Sequence, residues 1–171
     1  MNTMNRINLD DTHFIFTTNF SGDPKRDTFG DDRRKCSIIV PTEAQAKDMT
    51  KAGFNVRATK PRKEDDPDQF TPEYYVTAQV KYRKRNNDPV KYPPAVYLVT
   101  EGNDPVKLTE DTVGCIDQIR VKNVNCVLSP WEQDDGKLSL YVRTMYVEQD
   151  TDDDPYAARY SGRTQNDEAP F

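Results

Sequence analysis

Histidine is almost absent: the 171-residue chain has one, His13. A nucleophile of the Ser-His or Cys-His kind would have to use it, and a lone histidine in a strand-like segment is ordinarily structural or exposed. Cysteine is scarce as well. Cys36, Cys115 and Cys126 are odd in number and form no CxxC pair, so neither a disulfide framework nor a zinc site is expected. They read as small buried or half-buried thiols. No apolar run approaches the roughly 18 residues that cross a bilayer. Residues 1–11 are polar and lack the apolar stretch of a signal peptide, so a cytoplasmic protein without a membrane partner is expected. Neither a GxxxxGK[ST] nor a GxGxxG run is present to cradle a phosphate. Carboxylates are plentiful, but Asp65-Asp66, Asp134-Asp135 and Asp152-Asp153-Asp154 fall in loops or at the end of the chain. Loops of that kind do not hold oxygens at the tight geometry magnesium demands. No metal, no cofactor and no catalytic residue is expected, and an enzyme is the least favoured class.

Apolar residues are few too, at 35% against 31% charged, and the mean hydropathy is -0.93. Such a chain supports one modest core and leaves a part without one. The net charge of -5 is unevenly placed. Residues 148–171 carry seven acids and two bases, which leaves residues 1–147 with 22 of each. A neutral body with an acidic end differs physically from an acidic protein.

The body reads as strands joined by turns. Residues 1–11 look like a flexible start. Residues 13–20 alternate moderately and predict a strand, and residues 19–32, with Gly22, Pro24 and Gly30, a loop. Residues 33–40 predict a second strand, with Cys36, Ile38 and Val40 on one face. Pro41 ends it. Thr42 is a natural N-cap, Gln45 completes a capping box, Ala46, Met49 and Ala52 repeat at helical spacing, and Gly53 is the stop. Residues 55–60 predict a short strand and residues 61–72 a charged loop. Over residues 73–83 the alternation is clean. Tyr74, Val76, Ala78, Val80 and Tyr82 face one way, and Tyr75, Thr77, Gln79, Lys81 and Arg83 the other. A polar loop over 84–94, strands over 95–100 and 117–128, a turn over 129–136 around Trp131 and a strand over 137–149 complete the body. Six or seven short strands with one helix indicate an all-β, mainly antiparallel barrel or sandwich. Residues 12–149 form that domain, and residues 150–171, without apolar period, an acidic disordered tail.

Single-stranded nucleic acid needs cations for its phosphates and open rings for its bases. Arg33, Arg34 and Lys35 make one basic cluster. Tyr75, Lys81 and Arg83 share the polar face of their strand, which runs on into Lys84 and Arg85 and then to Lys91 and Tyr92. Tyr141 and Arg143 share a face in the last strand, away from Leu140 and Val142. Trp131 reads two ways, as part of this surface or as a plug at one end of the barrel. The chain ends Asp167-Glu168-Ala169-Pro170-Phe171, an aromatic ring and a free carboxylate behind acids, which suits capture by a partner protein. A rival from another class is a protein-interaction module, such as a DNA mimic that offers acids to a basic enzyme. A mimic needs those acids on its folded surface, whereas here the excess lies in the tail.

The Pro170-Phe171 ending resembles that of bacterial single-stranded DNA-binding proteins. The body resembles the OB-fold single-stranded DNA-binding proteins of tailed bacteriophages. Three stretches carry the likeness: Ile38-Ile39-Val40-Pro41 through Ala52-Gly53-Phe54-Asn55-Val56; Asp111-Thr112-Val113-Gly114 through Ile119 and Asn123-Val124; and Pro130-Trp131-Glu132 with Gly136-Lys137, Tyr141-Val142 and Met145-Tyr146-Val147. Together they span about residues 33–148. The resemblance implies an OB barrel, a role in phage DNA replication, recombination or repair in the host cytoplasm, and tail contacts through Asp167, Glu168, Pro170 and Phe171 to replication or recombination proteins. A homodimer is compatible with it.

Overall fold

The computed structural model describes residues 6–150. The expected tail, with Asp167, Glu168, Pro170 and Phe171, lies outside the described residues. Within them the chain forms β1 (Ile7–Thr12), β2 (Phe14–Asn19), β3 (Lys35–Ile39), α1 (Glu43–Lys51), β4 (Arg57–Ala58), β5 (Tyr74–Gln79), β6 (Ala95–Val99), β7 (Val106–Leu108), β8 (Val121–Glu132) and β9 (Leu138–Gln149). Short 3-10 segments occupy Pro24–Arg26 and Val113–Gln118.

The loose start expected over residues 1–11 is contradicted from Ile7 onward. β1 pairs antiparallel with β8, Ile7 opposite Leu128 and Leu9 opposite Cys126. Leu9 is fully buried, Ile7 packs against the core beside it and Thr12 is buried at the corner, which anchors the strand. β1 and β2 are one bent run broken at His13. Ile39 fixes the corner: its N–H donates to the His13 carbonyl at 3.0 Å, and its carbonyl accepts from Thr12 Oγ1 at 2.6 Å. Because β2 pairs with β3 while β1 pairs with β8, this run closes the order β1-β8-β9-β5-β3-β2 on itself. That is the OB-type barrel, mainly antiparallel, with parallel pairing of β9 to β5 and to β6. The seam between β5 and β9 is thin, a single pairing of Gln79 with Tyr141.

The barrel is filled by the buried face of every long strand, among them Ile38, Val76, Ala78, Val96, Val124, Leu128 and Met145. Ala46 and Met49 of α1 join it, as do Val113 and Ile116 of the second 3-10 segment. That segment occupies the start of the strand expected over 117–128, since residues three apart eclipse on a 3-10 turn and so can both turn inward. The alternation of residues 74–82 holds: Val76, Ala78 and Val80 are buried, with Tyr74 and Tyr82 packed at the margin. Thr42 caps α1 by accepting from the Gln45 N–H at 3.1 Å. The Gln45 side chain does not return to the cap. Its Nε2 donates to the Asn8 carbonyl at 2.8 Å and ties the helix to β1. Gly53, at φ +99°, takes the left-handed turn that ends the helix.

The turn expected over residues 129–136 is shorter. β8 runs through Pro130 to Glu132, opposite Leu140 and Leu138. β1 begins at Ile7 opposite Leu128, so among the described residues no strand pairs with the outer edge of β8 at Pro130. The β8–β9 hairpin thus overhangs the barrel and carries Trp131 on its strand. In β9 the register slips one residue at Arg143, because Leu128 faces Val142 and Val127 faces Thr144. This bulge keeps Met145 and Val147 inward after Leu140 and Val142. Cys36 and Cys126 are buried free thiols and Cys115 is half-buried. Burial pushes the Cys126 thiol up to about 12 and Cys36 well above its ordinary value, so both stay protonated and unreactive. Among the described residues no helix is long and apolar enough to cross a membrane.

Candidate nucleic-acid interface

The outward side of β3 and β5, the connection from β2 to β3 and the overhanging hairpin meet at two adjoining clefts. The larger, about 760 Å³, is lined by six bases (Arg33, Arg34, Lys81, Arg83, Lys84 and Arg85) and two acids, Asp32 and Glu110. A neutral body therefore has one strongly positive hollow. Tyr141 and Trp131 supply its aromatic wall. Trp131 is 63% exposed, so it is no plug of the barrel end. The smaller cleft, about 280 Å³, shares Arg33 and Gln79 with the larger and continues past Lys35, Tyr75 and Arg57.

The bases of the β2–β3 connection are largely committed to its own architecture. Arg34 Nη1 donates to the Phe20 carbonyl at 2.7 Å, and its guanidinium lies 5.5 Å from the Tyr82 ring centroid. Lys35 Nζ is 2.6 Å from Asp27 Oδ1. That ammonium, with the Asp31 and Phe29 backbone N–H groups, holds the Asp27 carboxyl below its ordinary range. Arg33 is more open, with Nε 3.5 Å from Asp31.

The root of this connection is pinned by Asp117, whose side chain is 0% exposed. Its Oδ1 accepts from Thr18 Oγ1 at 2.8 Å and from Phe20 N–H at 2.9 Å, and its Oδ2 from Ser21 N–H at 2.9 Å. Arg26 Nε lies 3.4 Å away and also donates to the Thr18 carbonyl at 2.8 Å. Gly114 permits this docking, because a Cβ there would lie 3.0 Å from Ser21 Cβ. A bond chain therefore leads from buried Asp117 through the Phe20 peptide to Arg34 and the cleft floor.

Across the cleft, residues 82–90 form a hairpin beyond β5. Val90 N–H donates to the Tyr82 carbonyl at 3.0 Å and Lys84 N–H to Asp88 at 2.7 Å. Arg83 Nε reaches both Glu110 carboxylate oxygens, at 3.0 and 2.9 Å. Lys84 and Arg85 are exposed and have no carboxylate partner among the described residues. Lys81 Nζ lies 5.8 Å from the Tyr141 ring centroid, which pairs a cation with an aromatic face. Burial pushes the Tyr82 phenol up to about 12, and its hydroxyl has no partner among the described residues, so this ring acts as an apolar floor.

Lys91, Tyr92 and Arg143 gather apart from these clefts. The Tyr92 ring, 65% exposed, has Lys91 Nζ at 5.4 Å and Arg143 Cζ at 5.2 Å from its centroid. Sequence reasoning missed Phe16, Phe29 and Arg57. Phe29 is 92% exposed on the β2–β3 connection, in a turn where Asp27 Oδ2 accepts from the Phe29 and Asp31 N–H groups, both at 2.9 Å. Phe16 packs edge-on against Tyr75, with centroids 5.1 Å apart. Arg57 is paired across strands with Tyr75. A bare phenylalanine in a sequence signals a core, so Phe16 and Phe29 had no legible mark, and Arg57 stands alone in its strand with no basic neighbour to single it out. His13, by contrast, is exposed beside Glu73 at 3.9 Å, a surface role. Among the described residues no three His, Cys, Asp or Glu side chains gather as a metal site.

No curated protein matches the chain. The crystal structure of gp2.5, a single-stranded DNA binding protein encoded by bacteriophage T7, aligns over 89% of this chain and 97% of that one. The identity is 11% and the TM-score 0.39, a likeness too slight to carry an argument. The family model "Putative phage ssDNA-binding domain" matches residues 1–169. With nearly its whole length matched, the chain belongs to this family of phage single-stranded DNA-binding domains.

Proposed function

We propose that the protein holds single-stranded DNA without sequence preference in the two adjoining clefts, by base stacking and phosphate contacts and without catalysis. The observation that carries this reading is the larger cleft: six bases against two acids, with Trp131 and Tyr141 offering rings beside them. Stacking on an aromatic is worth about 1–3 kcal/mol per base and tolerates any sequence. Phosphate contacts add a term that weakens with salt. Lys81, Lys84, Arg85 and Arg33 are the phosphate ligands, and Trp131, Tyr141 and Tyr75 the stacking rings. Arg34, Lys35 and Arg83 act mainly by shaping the cleft. Lys91, Tyr92 and Arg143 extend the track beyond it. The protein serves phage DNA replication, recombination or repair, and the tail ending in Asp167, Glu168, Pro170 and Phe171 recruits partner proteins. By charge attraction the tail also competes with DNA for the clefts.

Trp131 is the sole tryptophan and therefore reports on the cleft directly. Titration with oligo-dT is expected to quench it, more strongly in dilute salt, while duplex DNA of equal length binds less well. Removal of residues 150–171 is expected to tighten binding, most in dilute salt. A chain that leaves oligo-dT unbound in dilute buffer, with or without those residues, refutes the reading.

A further inference from the structure

Phe16 lies where the pairing of β2 with β3 breaks, between Ile15 and Asn19. Its φ is +64°, a left-handed conformation that is unfavourable for a bulky side chain. In plain alternation Phe14 and Phe16 would share a face. Phe14 packs against the core, edge-on to Phe20 at 5.5 Å. The bulge instead turns Phe16 outward, 65% exposed, onto the edge of Tyr75. Strain and an exposed ring both disfavour the folded state, and the core gains nothing from either. Bulges that re-aim a side chain cluster beside functional sites.

The ring stands beside a cationic hollow. Tyr75 and Arg57 line the smaller cleft with Arg33 and Lys35. The acid in that lining, Asp31, lies 3.5 Å from Arg33. Arg57 is exposed, with no carboxylate partner among the described residues.

We infer that Phe16, Tyr75 and Arg57 form a second base-stacking station for single-stranded nucleic acid, separate from the one at Trp131, with the strand passing Gln79 between them. The inference rests on the reading of the clefts given above. Charge complementarity selects the occupant: a peptide segment would find an aromatic pair there, but only a polyanion uses Arg57 and Arg33 as well. Tyr75 lies on β5 and Lys81 two residues past its end, six residues on, about 20 Å along an extended run at 3.3 Å per residue. A very short oligonucleotide therefore fills one station, and a longer one spans both.

The test uses the full chain, with Trp131 quenching as the readout and oligo-dT of about 4 and about 16 nucleotides, the ends of the usual range for such barrels. Phe16→Gly relieves the left-handed strain and removes the ring. Its melting temperature is expected to equal or exceed the parent's. The long oligonucleotide is expected to bind about tenfold more weakly, as one lost stack predicts, and the short one unchanged. Arg57→Ala, at an exposed position, is expected to lower the salt slope for the long oligonucleotide by about 0.7, one phosphate's share on a single strand. Parental affinity of both variants for the long oligonucleotide overturns the inference, as does equal weakening of long and short. A parent that binds neither oligonucleotide overturns the underlying reading instead, and the inference falls with it.

Discussion

The connection from β2 to β3 and the hairpin of residues 82–90 face each other across the same cleft and carry similar basic clusters, but their charges are used differently. On the connection, Arg26 binds Asp117, Arg34 the Phe20 carbonyl, and Lys35 Asp27. On the hairpin, Arg83 is held by Glu110 while Lys84 and Arg85 remain open to solvent. One wall has Arg26, Arg34 and Lys35 tied into its own structure, with Arg33 left more open. The other offers Lys84 and Arg85, which have no carboxylate partner among the described residues. Equal stretches of basic sequence thus divide into scaffold and contact surface.

The sharpest way to break this comparison is at Asp117. Asp117→Ala leaves the Thr18 hydroxyl and the Phe20 and Ser21 N–H groups without their acceptor. A loss of about 3 kcal/mol in urea unfolding is expected, with weaker DNA binding, since each buried orphan costs about 1–3 kcal/mol. A stability within about 0.5 kcal/mol of the parent would mean that the root is not pinned there. The opposite wall should respond in the opposite manner. The Lys84→Ala, Arg85→Ala double variant is expected to unfold like the parent, while its salt slope for oligo-dT falls by about 1.4, two phosphate contacts on a single strand. A slope equal to the parent's would place the phosphates elsewhere.

Smaller effects refine the floor and the connection. Tyr82→Phe deletes a hydroxyl with no partner among the described residues and is expected to stabilise by about 1 kcal/mol with DNA affinity unchanged. A destabilised variant would show that the hydroxyl does find a partner. Asp27 has a lowered folded-state pKa, so its contribution to stability is present above the ordinary value of 3.8 and is lost as pH falls through the folded value. Asp27→Asn should therefore flatten the fall of melting temperature below about pH 4. A parental acid profile in that variant would remove the Lys35 pair from the account.

Much of the barrel was legible because the pattern that folds it is local. Residues 74–82 alternate between apolar and polar, and one face is buried in that order. Thr42 and Gly53 bracket α1 as capping chemistry requires. Residues 129–132 misled, since a stretch read as a turn around Trp131 continues β8 against β9. β1 escaped notice because its buried positions, Leu9 and Thr12 with Ile7 partly covered, do not alternate and two of its six residues are aspartates. At the clefts, the tyrosines and bases of β5 and the hairpin were legible as residue types on one face. Which bases are committed was not, because the partners Asp117 and Glu110 lie 91 and 27 residues away from Arg26 and Arg83 in sequence.

The sequence by itself determined the alternating strands, the capped helix, and the neutral body with its acidic end. These follow from spacing and composition, which need no knowledge of distant neighbours. Only the tertiary structure decided that Phe16 turns outward, that Trp131 lines a cleft, and that Arg34 serves the fold while Lys84 faces solvent. Exposure and charge pairing are set by what the chain brings alongside from far away, and closing the barrel through the bent β1–β2 run is what brings those groups together.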